Sequence, residues 1–391
     1  MRTEHKNRPA YGEPVILALD SFREFGEKVD EIILRRYREN IDFDHGGFVP
    51  ETLLAPVQCV RFSSGEGKVR LPKSVRGKDV FILCDKGNYS CTYSYHGFTN
   101  HMGPDEHFAD VKRAISAIGG KSRRTTVLMP LMYASRQDKR KSRESLDCAM
   151  ALQELQSMGV NDILTFDMHN SAVQNAIPLA SFENLYPTYD IVKSIVRHEG
   201  ESIRSGRLVV ISPDTGAMDR AIYYASILDT GVGLFYKRRD YTRVINGSNP
   251  IVEHEYMGPS LEGMDALIVD DIAASGDSII EVMKQLRQRD ARKIFVAVTF
   301  SQFTNGVERF NEQFEKGMFN RIFSTNLTYV SPGVKSQPWY QEVDMAEFVA
   351  KLIDNYNFGR SVAPLLNMAQ EMKSVIVDMH NEHPTAKDIE L

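Results

Sequence analysis

The sequence predicts an α/β protein of two similar domains, each a central parallel sheet flanked by helices. Three observations lead there. Short, continuous apolar runs recur along the chain, as buried parallel strands require. Stretches of helical period lie between them. Several of the runs stop at acids, a histidine or small residues, and open α/β sheets place their ligands at such strand ends. A chain of 391 residues suits two domains of about 150–200 residues each. The expected division is an N-terminal α/β domain over 1–185, a C-terminal one over 186–355, and a C-terminal segment with a polar tail over 356–391.

In the first half, residues 15–19 read as a strand, 21–37 as an amphipathic helix and 40–56 as a Gly-, Asp- and Pro-rich loop. Residues 60–71 read as a hairpin-like arm and 78–83 as a buried strand. The segment from 94 to 107 holds three of the ten histidines, but Gly97, Gly103 and Pro104 interrupt it. It is expected to be a loop leading to a helix over 108–118. Residues 125–130 form another buried strand, which opens onto a charged loop over 133–145. The bland reading of that loop is a solvated basic surface. Its position after a strand, with Tyr133, Arg136 and Gln137 able to stack on and bond to a base, gives the other. A helix over 146–157 precedes a strand that delivers Asp167 and His169 to one side. Asp-x-His alone fits either a core histidine with its orienting carboxylate or a ligand pair.

In the second half, residues 208–211 read as a strand ending near Asp214 and 220–228 as a helix. A strand over 233–236 ends in Lys237-Arg-Arg, and 246–259 reads as a connector. The stretch from 266 to 283 carries the clearest ligand signal. Apolar 266–269 is a buried strand, Asp270 and Asp271 follow it, and a loop of small residues over 273–278 enters a helix with Ile279, Ile280, Met283 and Leu286 on one face. Loop N–H groups and a helix N-terminus can cradle a phosphate while the acids bind sugar hydroxyls. Its bland alternative is Ser278 capping a helix after an ordinary turn. Strands over 294–300 and 321–326 and a helix over 345–356 complete the reading.

Composition narrows the function classes. Apolar content is 42% and charged content 25%, as in ordinary globular chains. The 52 acids against 47 bases leave a net charge of −5, which gives no electrostatic case for nucleic acid or an anionic membrane. Cys59, Cys84, Cys91 and Cys148 show neither metal-binding nor disulfide spacing. With no signal-peptide core and no membrane span, a cytoplasmic location is expected.

Six motifs in order make the chain similar to the ribose-phosphate diphosphokinase (phosphoribosyl-diphosphate synthetase) family, of type I phosphoribosyltransferase fold, over residues 15 to 366. They are the arm Arg61-Phe-Ser-Ser-Gly-Glu with the strand after it, the loop 133–143, Asp167-Met-His, Ser212-Pro-Asp, Lys237-Arg-Arg, and the loop beginning Val269-Asp-Asp. Lys-Arg-Arg together with Asp-x-His separates the diphosphokinase from the transferases. The resemblance implies transfer of diphosphate from Mg-ATP to the 1-hydroxyl of ribose 5-phosphate. It makes His169 and Asp214 the Mg²⁺ residues and Lys237 and Arg239 the catalytic cations. Phe62, Glu66, Arg136, Gln137 and Arg143 become ATP contacts. Asp270 and Asp271 take the ribose hydroxyls, and Ser275, Gly276, Asp277 and Ser278 surround the 5-phosphate. It also implies a homo-oligomer, hexameric or dimer-based, in which Phe62 and Glu66 reach a neighbouring subunit. The alternatives are an inactive regulatory relative and a phosphoribosyltransferase. Two departures stand out: Ala274 replaces an acid, and Asp277 puts a carboxylate beside the dianion, which is unfavourable unless it points away.

Overall fold

A computed structural model of the chain describes residues 11–39, 49–140, 142–239, 251–366 and 376, with backbone alone at 237–239 and 251–254. It falls into two units. The first takes in Met1–Tyr186, Leu327–Tyr329 and Asp344–Leu366, and the second Pro187–Asn326, Val330–Val343 and Asn367–Leu391.

The first unit begins with β1 (Pro14–Ala18), five consecutive buried residues, and α1 (Arg23–Arg38). There follow β2 (Gln58–Arg61), β3 (Gly67–Arg70), β4 (Asp79–Leu83), β5 (Thr92–Tyr95), β6 (Phe98–His101) and α2 (Pro104–Ile118). Then come β7 (Arg124–Leu128), α3 (Asp147–Ser157), β8 (Asp162–Phe166) and β9 (Ser181–Leu185). The sheet runs β1-β4-β7-β8-β9, parallel throughout. Val80, Ile82, Val127 and Ile163 of its strands pack against Val111 of α2 and Leu152 of α3.

Two expectations are corrected here. The histidine-bearing segment expected as a loop forms the antiparallel hairpin β5–β6, and α2 starts earlier, at Pro104. Glu106 turns back to accept the Gly103 N–H at 2.8 Å, closing that helix start. Two of its three histidines meet backbone carbonyls: His101 Nδ1 lies 2.7 Å from that of Tyr89, and buried His107 has Nε2 2.8 Å from that of Asn88.

The second unit comprises α4 (Thr188–Arg204), β10 (Leu208–Ser212), α5 (Met218–Leu228), β11 (Gly231–Arg239), β12 (Ile251–Met257) and β13 (Asp265–Ala273). These are followed by α6 (Asp277–Arg287), β14 (Lys293–Ser301), α7 (Glu308–Glu315), β15 (Arg321–Thr325), α8 (Pro332–Lys335) and β16 (Tyr340–Val343). Its sheet runs β12-β11-β10-β13-β14-β15-β16, parallel except for the β11–β12 edge pair. The expected connector over 246–259 therefore contains an antiparallel edge strand; residues 240–250 lie outside the described residues.

The last long helix, α9 (Ala346–Asn357), groups with the first unit, whereas its place in the sequence suggested the second. Its buried Asp354 accepts from Tyr37 Oη at 3.0 Å and Arg36 Nε at 3.5 Å on α1. Glu347 accepts from Arg36 Nη1 at 3.2 Å.

Candidate active site

The acid pair sits inside a strand rather than after one. β13 pairs with β14 as far as Ala273–Ser301, so Asp270 and Asp271 belong to β13 itself. On its other side, β13 pairs with β10 only up to Ile211–Ile268. The acids thus lie where one flanking strand has already stopped, which opens the crevice that α/β sheets use for ligands. Asp271 is buried and Asp270 half-buried. The Asp271 N–H donates to Asp270 Oδ1 at 2.9 Å, and Arg220 Nη1 on α5 lies 3.7 Å from the same oxygen. Burial, and then the neighbouring Asp271, push the Asp270 carboxyl well above its ordinary range, while Arg220 pulls it back.

The loop after β13 is short because the strand is long. Gly276 stands at φ +81°, and a Cβ there would lie 2.2 Å from Phe310 Cζ, so both conformation and space demand glycine. The Ser275 hydroxyl donates to Asp277 Oδ2 at 2.9 Å, and Arg309 contacts Asp277 Oδ1. These two partners hold the Asp277 carboxyl below its ordinary range. The carboxylate that the sequence left facing a phosphate is thus already paired. Ser278 is exposed in the first turn of α6.

At the end of β10, Asp214 Oδ1 accepts the Gly216 N–H at 2.9 Å and caps a single 3₁₀ turn. Lys237 and Arg239 lie on β11, paired with His254 and Ile251 of β12 across a register shift at 238/239. Their side chains fall outside the described residues.

In the first unit, Phe62 and Glu66 occupy the tip of the β2–β3 hairpin, where the Phe62 N–H donates to the Glu66 carbonyl at 2.9 Å. Phe62 is 49% exposed, whereas the hairpin root is fixed. Arg61 binds both oxygens of buried Asp110, at 3.0 and 2.7 Å. Arg136 and Arg143 are exposed on the loop after β7. Gln137 Nε2 donates to the Ser145 carbonyl at 2.8 Å, bracing that loop. Tyr133, expected to be available to a base, is engaged internally: it stacks on Phe108 at 4.4 Å, and its hydroxyl donates to Asp105. Asp167 adopts φ +42° and is buried just past β8, and His169 follows it, exposed.

Comparison with known proteins fits this layout. Residues 14–159 match the N-terminal domain of ribose phosphate pyrophosphokinase, and residues 181–337 match the phosphoribosyl transferase domain. The chain belongs to the ribose-phosphate pyrophosphokinase family. It is 27% identical to the ribose-phosphate pyrophosphokinase of Mycoplasma genitalium, over 78% of this chain and 85% of that one. It is 26% identical to ribose-phosphate pyrophosphokinase 2 of Schizosaccharomyces pombe, over 81% and 91%. The crystal structure of phosphoribosylpyrophosphate synthetase from Mycobacterium smegmatis shares the fold, with a TM-score of 0.68 at 20% identity, over 88% of this chain and 98% of that one.

For a pyrophosphokinase the donor set is sparse. Among the described residues no three His, Cys, Asp or Glu side chains form a metal cage. Magnesium held mainly by substrate phosphates and water needs only one or two protein donors, and half-buried Asp214, anchored through one oxygen, fits that demand. Sequence reasoning missed Arg220 and Arg309. Each lies far along the chain from the acid it meets, and nothing local marks either one.

Proposed function

We propose that the chain carries out its family's reaction, moving the β,γ-diphosphate of ATP to the 1-hydroxyl of ribose 5-phosphate to give phosphoribosyl diphosphate and AMP. The observation that carries this reading is the β13–α6 unit. Paired acids past the end of β10, a glycine turn and an eleven-residue helix form a sugar-phosphate cradle. Asp270 and Asp271 accept the ribose hydroxyls, and Ser275, Gly276, Asp277 and Ser278 surround the 5-phosphate. The anomeric oxygen attacks the β-phosphorus, the bond to the α-phosphate oxygen breaks, AMP leaves, and the hydroxyl proton is lost.

Phosphoryl transfer depends mainly on positioning and charge stabilisation. Lys237 and Arg239 supply cations to the transferring group, and Arg136, Gln137 and Arg143 hold the nucleotide. His169 and Asp214 would hold the Mg²⁺, which would neutralise phosphate charge. Phe62 and Glu66 serve the adenine of a neighbouring copy, which makes the chain a homo-oligomer. The nucleotide contacts thus belong to an N-terminal domain, and the sugar-phosphate loop with Lys237-Arg-Arg to a C-terminal one. Among the described residues no helix is long and apolar enough to cross a membrane.

³¹P NMR of the purified chain with Mg-ATP and ribose 5-phosphate tests the reading. Stoichiometric AMP and a new diphosphate on the ribose, both lost in Lys237→Ala, are the expected result. Ribose 5-phosphate binding without AMP formation would instead mark a non-catalytic relative.

A further inference from the structure

Asp277 is an acid in a loop whose proposed ligand is a phosphate dianion, and like charges at that range oppose each other. The fold sets a cation against it. Arg309, in the first turn of α7, contacts Asp277 Oδ1 while the Ser275 hydroxyl holds Oδ2. Both charged side chains are about half exposed, and such pairs contribute little to stability. Their placement calls for another account.

The placement is fixed by packing. Phe310, the residue after Arg309, is buried against Gly276, the turn residue of the loop. Its ring also packs on Phe303, Phe319 and Trp339, with centroids 4.8, 6.3 and 5.7 Å away. The segment leading to α7 is bonded to the loop as well. The Gln302 N–H donates to the Ala273 carbonyl and the Thr304 N–H to that of Ala274, each at 2.9 Å. The start of α7 is thereby clamped to the loop, and Arg309 is carried with it.

A guanidinium presents five N–H donors in a planar fork suited to phosphate, and the Asp277 contact engages Nη1. We propose that Arg309 is a binding residue for the 5-phosphate of ribose 5-phosphate, aimed at the loop by Asp277. The pair cancels the acid's charge and leaves a phosphate-directed fork at the cradle's edge. This rests on the ribose 5-phosphate reading above.

The test compares the full chain with Arg309→Ala, Arg309→Lys, Asp277→Asn and the Asp277→Asn/Arg309→Ala double variant. Calorimetric binding of ribose 5-phosphate and steady-state kinetics are both measured. Arg309→Ala is expected to weaken ribose 5-phosphate by about ten- to a hundredfold in Kd and KM, the range for a lost charge-assisted hydrogen bond. The KM for ATP should stay within about twofold, since the change removes no nucleotide contact. Arg309→Lys should recover part of the loss, and the double variant should bind more weakly than Asp277→Asn alone. Unchanged sugar-phosphate affinity in Arg309→Ala would overturn the proposal. So would a double variant equal to Asp277→Asn, because Arg309 would then only mask the acid. If the unmodified chain binds ribose 5-phosphate but forms no AMP, the catalytic reading fails while the binding comparison still decides the role of Arg309.

Discussion

Arg220 Nη1 stands 3.7 Å from Asp270 Oδ1, joining α5 to the acid pair on β13. Burial and the adjacent Asp271 raise the Asp270 carboxyl well above its ordinary range, and Arg220 opposes them. The ionised carboxylate accepts hydroxyl donors at both oxygens, whereas the protonated form gives up part of that capacity and accepts more weakly. Ribose 5-phosphate affinity should therefore fall as pH drops through that raised value. Arg220→Ala removes the opposing charge and should move this acid limb to higher pH. The pH profile of kcat/KM for ribose 5-phosphate measures it. Parallel profiles for the two proteins would show that Arg220 does not govern Asp270.

The β2–β3 hairpin separates a structural root from an exposed tip. Phe62→Ala should raise the KM for ATP about tenfold, the low end of the range for a lost base–aromatic stack. Its stability should change by about 0.5 kcal/mol or less, because the ring is half exposed. Arg61→Ala should behave in the opposite way. It leaves buried Asp110 paired with Arg113, at 2.8 Å, and should cost about 2–3 kcal/mol in urea unfolding. Equal stability losses in both variants would remove the distinction between root and tip.

The parallel strands were legible because burial on both faces demands unbroken apolar runs, as in residues 80–83, 208–211 and 266–269. Thr92-Tyr-Ser-Tyr and Phe98-Thr-Asn-His were not. They form a small exposed hairpin whose residues need no apolar pattern, and Phe98 is 76% exposed. β12 escaped notice for a related reason: an edge strand needs only one neighbour. The docking of α9 was illegible because its apolar face fits either domain, and Asp354 reveals its place only by meeting Tyr37 and Arg36. The acid pair and the glycine turn were found because their chemistry is contiguous in sequence. Arg220 and Arg309 arrive from other helices, so only the fold brings them in.

Gly276→Ala tests how tightly the cradle is built. The substitution forces a side chain into a positive-φ turn and against Phe310. Backbone strain and overpacking together should cost about 2–4 kcal/mol, read as a lower urea midpoint. Sugar-phosphate affinity should fall with it, because relief requires either the turn or α7 to shift. A variant that keeps full stability would mean that Phe310 yields easily and that the clamp on α7 is loose.

Asp354 ties α9 to α1, and its titration should be visible in the stability of the chain. Burial pushes its carboxyl up to about 7, although the Tyr37 hydroxyl and the guanidinium groups of Arg36 and Arg360 each act to lower it. The folded state therefore keeps its proton up to about that value, whereas the unfolded chain releases it near 3.8. Between those two pH values folding takes up a proton, so this group's contribution to stability falls as pH rises from about 4 to about 7 and is constant above. Asp354→Asn cannot titrate and should flatten this slope. Urea midpoints at pH 5 and pH 8 measure it, with the unmodified protein losing more across the interval than the variant. Buried Asp85, raised to about 6, has the same sign but is present in both proteins, so the difference isolates Asp354. Equal losses would mean that Arg36 holds Asp354 ionised in the folded state throughout, and that the α1–α9 contact is an ion pair at every pH in the interval.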